Sequence, residues 1–184
     1  MTIGNQVSKR CRLSQVGLAI ILLLLAVSAS AESKHDEAVK ESGKAKGHRE
    51  AAEKLKPEER KKEYDEAIKA WLLAAVAADS YDTVAGASFR QEAAKDHRAI
   101  GEDGKAAGLE EGTAKAIAAL ARKAAAAKDP KRASELFKLA ESKWNQAATD
   151  HDKSDPKNKK PGEDAREEAK KMAAEAKKQD ELLK

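Results

Sequence analysis

AIKAWLLAAVAAD, residues 67–79, carries no charge between Lys69 and Asp79 in a chain where 37% of residues are Asp, Glu, Lys or Arg. Tyr64, Ala67, Ile68, Trp71, Leu72, Ala75 and Ala78 recur at the spacing of one helical face. Leu73 and Val76 widen that face until little polar surface is left. Pro57 suits a first helical turn, and Glu58 and Glu59 complement the positive end of the helix dipole. The spacing predicts a helix from Pro57 to Asp79, apolar nearly all round and covered on several sides, hence central to the fold.

Outward from it, a third segment places Val84, Phe89, Ala93 and Ile100 on one face before GEDGKAAGLEEG, whose glycines at 101, 104, 108 and 112 predict a loop or frayed helix. Thr113 is expected to cap the next helix, through about Lys128, with Ile117, Leu120 and Ala124 inward. Asp129-Pro130 is a turn, and a helix bearing Leu136, Phe137, Ala140, Trp144 and Ala147 follows to about Asp150. Alternating β-branched residues are absent and alanine, the best helix former, dominates. The expected fold is all-α: a small helical bundle or hairpin-repeat array with polar, weakly packed N- and C-terminal segments. Its divisions are a leader (1–31), a polar segment (32–55), a helical core (56–150), a linker (151–162) and a charged C-terminal helix (163–184).

Two of these helices repeat one phrase. At an offset of 73, Pro57 meets Pro130, Tyr64 meets Phe137, Ala67 meets Ala140, Trp71 meets Trp144, Ala74 meets Ala147 and Asp79 meets Asp152. The chain's two tryptophans coincide, each seven residues after an aromatic. Such duplication implies stacked helical units. Within each copy, the run of Tyr64, Ala67, Trp71 and Ala74, or Phe137, Ala140, Trp144 and Ala147, resembles the second helix of a tetratricopeptide repeat. The first-helix pattern of that family does not precede either copy, where Pro57 and Pro130 stand instead. The resemblance implies a concave surface that binds protein segments and has no catalysis of its own.

The N-terminus reads as an address. Lys9, Arg10 and Arg12 precede an apolar run of 12 residues, Val16 to Val27, and Ala29-Ser30-Ala31 supplies the small residues of a cleavage site. That run is short for a membrane span, and Cys11 lies before it, so neither an uncleaved anchor nor a lipid anchor is expected. The protein is expected to be exported, to the periplasm or beyond. Without residues 1–31 the net charge falls from +4 to +1, which argues against a nucleic-acid partner. No cysteine remains for a disulfide or thiolate metal site.

Candidate chemistry is sparse. His35, His48, His97 and His151 show no i, i+4 pairing. Asp150, His151, Asp152 and Asp155 cluster but lack the glycine and glutamate of a calcium loop, and read as a helix end entering a solvated linker. GEDGKAAG has the wrong glycine spacing for a phosphate loop, and Ala106 follows Lys105 where a hydroxyl is needed. Asp96-His97 with Glu102 and Asp103 lacks an accompanying nucleophile. No catalytic, cofactor or metal site is therefore expected, and the two tryptophans are expected to be packing residues. Three functions fit: an exported non-enzymatic scaffold binding another envelope or secreted protein, compatible with homo-oligomers; a protective polypeptide that folds conditionally; and a metal sequestrant.

Overall fold

The structure, a computed structural model, describes the backbone of residues 7–184 and the side chains of residues 31–184. The export signal expected over residues 1–31 falls outside this description apart from its helical backbone from Val7 and Ala31 itself. The described chain is all-α: α1 (Val7–Lys54), α2 (Arg60–Asp79), α3 (Thr83–Ala99), α4 (Asp103–Ala126), α5 (Pro130–Ser154) and α6 (Lys160–Glu181). Each helix packs chiefly on its chain neighbours, and α6 also touches α4. The connections are too short for anything but antiparallel neighbours, and cross-helix pairs such as Asp79 with Arg90 and Ser134 with Asp180 confirm that sense.

Local chemistry sets the ends. The Asp82 carboxylate accepts from the amides of Val84 and Ala85, capping α3, and Asp129 accepts from the Arg132 amide with Pro130 in the first turn of α5. Gly101, at a φ of 74°, reverses the chain between α3 and α4. Helix α2 begins at Arg60, and Pro57 lies in the preceding turn. Residues 103–112, expected as a loop or frayed end, are instead the first turns of α4. Gly104, Gly108 and Gly112 fall every fourth residue on its exposed side, while Ala107, Glu110 and Ala114 bury the opposite one. Thr113 is consequently mid-helix and buried rather than a cap. Burying one face outweighs the roughly 1 kcal/mol that each glycine costs relative to alanine.

The polar outer segments pack through small residues. Ala38, Ala45 and Ala52, one every seven residues along α1, are fully buried, and α1 lies along α2. In α6, Gly162, Ala165, Ala169, Met172 and Ala176 form the seam that docks on α5. Each buried methyl contributes only about 0.8 kcal/mol, so these seams act through close approach along their length rather than through bulk.

The two halves share residues at a set of matching places. Besides the α2–α5 match at an offset of 73, α1 matches α4 at 69: Ala38 with Ala107, Glu41 with Glu110, Gly43 with Gly112, Ala45 with Ala114 and Ala52 with Ala121. Helix α3 matches α6 at 76, anchored by one device made twice. Gly86 lies against the Asp79 carboxylate and 3.0 Å, measured from where a Cβ would stand, from the Ala75 carbonyl; Gly162 repeats this with Asp152 and, at 3.1 Å, Ala148. Asp79 pairs with Arg90 and Asp152 with Arg166, each arginine four residues beyond its glycine. Three different offsets reflect turns of different length between like helices.

One expectation about α2 is corrected. Helices α1 and α3 cover it, but its outer side is open: Leu73 is 56% exposed and Val76 69%.

Candidate functional site

All eight residues singled out as repeat packing are buried. On α2, Tyr64, Ala67, Trp71 and Ala74 face the interior, and on α5, Phe137, Ala140, Trp144 and Ala147 do the same. Trp71 is 2% and Trp144 6% exposed. Their surroundings differ, and that difference defines the candidate site.

Trp71 is sealed. The Phe89 ring stacks on it with centroids 5.9 Å apart and planes at 23°, and the Arg49 guanidinium lies 5.2 Å from the ring centroid. Its indole N–H donates to Asp96 Oδ2 at 3.0 Å. Arg49 Nε donates to Asp96 Oδ1 at 2.6 Å and Nη1 to Glu92 Oε2 at 2.6 Å, tying α1 to α3 across the ring. Burial works against the Arg49 charge, yet its carboxylate bonds outweigh it and hold the guanidinium above its ordinary value. Burial also pushes the Asp96 carboxyl up, and the Arg49 and Trp71 bonds reverse only part of that.

Trp144 opens on a cleft of about 570 Å³ lined by α4, α5, the 155–159 turn and the start of α6. Ala165 stands at the place of Phe89, three residues beyond the matching glycine, and it lines the cleft beside the indole. Ala118 and Met172 stand where the first half has Arg49 and Asp96, and both belong to the apolar cluster around Trp144. Lys115 Nζ lies 5.4 Å from the Trp144 ring centroid, and His151 Nε2 is 2.7 Å from Glu111 Oε1 at the rim.

A buried charge network joins the halves. Arg98, from α3, donates from Nε to both Asp150 oxygens at 3.0 Å and from Nη2 to Asp150 at 2.6 Å and to Glu110 at 2.8 Å. Lys143 Nζ is 3.4 Å from the other Glu110 oxygen. Burial again opposes the Arg98 charge, and the two carboxylates raise it above the ordinary value. At the neighbouring turn Glu102 is drawn down to about 2, chiefly by hydrogen bonds from Lys61 and Lys105.

The acidic residues around His151 do not converge. Asp150 meets Arg98, His151 meets Glu111, Asp152 meets Arg166, and Asp155 accepts from the amides of Lys157 and Asn158 in the turn. Asp96 and His97 also part, the first toward Arg49 and the second, through Nδ1, to 2.9 Å from Glu102. Among the described residues no helix is long and apolar enough to cross a membrane.

Periodicity missed the open stripe of α2 and the Trp144 cleft. Extending the duplication into α3 and α6 finds the second directly, because Phe89 then falls opposite Ala165. Comparison of the chain with protein-family models, with curated proteins and with solved structures gives no match.

Proposed function

We propose that the protein is an exported, non-enzymatic helical scaffold that binds another envelope or secreted protein through the outer face of α2. The observation that carries this reading is the exposure of Leu73 and Val76 where the corresponding residues of α5 are Gln146 and Thr149. The helical array tolerates polar residues at these two places, so packing does not require apolar ones. An apolar pair one turn apart on an open helix face suits a complementary apolar helix face or groove. The tetratricopeptide-like placement of aromatic and alanine residues supports the same class of role, and the leader motif in the sequence supports export.

The test exchanges the halves' own residues. Leu73→Gln with Val76→Thr should leave helicity and melting temperature unchanged within error, because both substitutions copy α5. Affinity capture from the envelope fraction, followed by binding measurements with each purified partner, should show affinity falling at least about tenfold, the loss expected from removing two apolar contacts. A partner bound equally by both proteins would move the interface elsewhere, and no reproducible partner at all would favour a protective polypeptide.

A further inference from the structure

We infer that the cleft over Trp144 is a binding site for one aromatic ring, presented by a phenylalanine or tyrosine side chain of a partner polypeptide. This site is separate from the α2 stripe and does not depend on it.

The occupant is identified by the protein itself. In the first half, the space against the tryptophan is filled by the Phe89 ring, nearly parallel to the indole at 5.9 Å. The register between α3 and α6 is fixed by Gly86 and Gly162, each against a matching aspartate and a matching alanine carbonyl. Three residues further along, Phe89 is replaced by Ala165, whose methyl lines the cleft together with Trp144. Removing a phenyl ring from that position, on the same scaffold, leaves an opening bounded by an indole. Trp144 therefore lacks the stacked ring that Trp71 has, and the 6% of its surface left exposed reaches the cleft.

The rim favours a peptide over a free charged molecule. Lys115 and Lys160 offer donors while Glu111, Asp164 and Glu168 offer acceptors, so the lining carries both signs and no strong field of either. Backbone N–H and C=O groups flanking an inserted ring find partners of both kinds there, whereas an anionic or cationic ligand meets a like charge. The ring supplies the apolar burial and the rim accommodates the amides on either side.

The test uses the full chain and the indole N–H signals of its two tryptophans in a nitrogen–proton correlation spectrum, assigned with Trp144→Phe. The probes are N-acetyl-phenylalanine methylamide, its leucine counterpart and benzyl alcohol. The phenylalanine probe should shift the Trp144 signal saturably and leave the sealed Trp71 signal in place. It should bind about threefold to tenfold more tightly than the leucine probe, the factor expected for ring stacking beyond buried area. Ala165→Phe should abolish the shift by restoring the missing ring in cis, and should raise the melting temperature. Absence of a saturable Trp144 shift in the wild-type chain overturns the proposal without recourse to any variant. Equal binding by the leucine probe removes the ring specificity, and equal or tighter binding by benzyl alcohol assigns the site to a small aromatic molecule instead of a polypeptide. Unchanged binding to a folded Ala165→Phe places the probe elsewhere.

Discussion

Replacing Arg98 by methionine should strongly destabilise the junction of the halves. Among the described residues Arg98 bridges Asp150, which is fully buried, and Glu110, which is 1% exposed. Methionine keeps an apolar stem but leaves both carboxylates facing protein, with Lys143 3.4 Å from Glu110 and Gln146 Nε2 3.2 Å from Asp150 as the remaining partners. Breaking a buried pair from one side costs about 3–5 kcal/mol, a large part of the 5–15 kcal/mol that holds a typical domain folded. Urea unfolding followed by circular dichroism measures the loss. Adding Asp150→Ala should recover part of the loss, because Ala77 occupies that place on α2, buried and with no cation needed. A deficit below about 1 kcal/mol, the range of an exposed pair, would refute the reading of this network as buried and coupled.

The tryptophans should differ in the same assay: Trp71→Phe strands Asp96 without its indole donor and should cost about 1.5–3 kcal/mol more than Trp144→Phe, beside which Met172 stands in the place of Asp96. Gly86→Ala should cost about 1–3 kcal/mol, since the new Cβ overlaps the Asp79 carboxylate and meets the Ala75 carbonyl at 3.0 Å, whereas Gly108→Ala, with open space around it, should stabilise by about 0.5–1 kcal/mol. Because Glu102 is held at about 2, below its ordinary 4.5, the stability it contributes is complete above pH 4.5 and disappears as pH falls through 2; Glu102→Gln should flatten acid unfolding in that window, as followed by fluorescence.

The helical class was legible because alanine and the 3.6-residue spacing of bulky residues act locally, and α2 and α5 advertise both. What escaped was set by pairing between distant segments. Residues 103–112 look like a loop to any local rule, and only the burial of Ala107, Glu110 and Ala114 against α5 and the rest of the array turns their three exposed glycines into tolerated positions. The alanine seams of α1 and α6 are similarly quiet, since a methyl every seventh or fourth residue gives little amphipathic contrast in a charged helix. Leu73 and Val76 misled in the opposite direction: apolar character suggested cover, and α5, with Gln146 and Thr149 there, shows that no cover is built in.

The same comparison explains why the halves have diverged at their tryptophans in a concerted way. A buried Arg49 requires a carboxylate, and Asp96 supplies it; in the second half neither charge is present, and Ala118 and Met172 stand in their places. Changing one member alone would strand a charge, so the two positions are coupled by desolvation. With the ion pair goes the guanidinium over the indole, where the second half has Lys115 instead, and with Phe89 replaced by Ala165 goes the stacked ring. The first half thus spends its tryptophan on holding α1, α2 and α3 together, whereas the second anchors α4, α5 and α6 through an apolar cluster and leaves its indole facing a cleft. The two halves thus pack their matching tryptophans by different means.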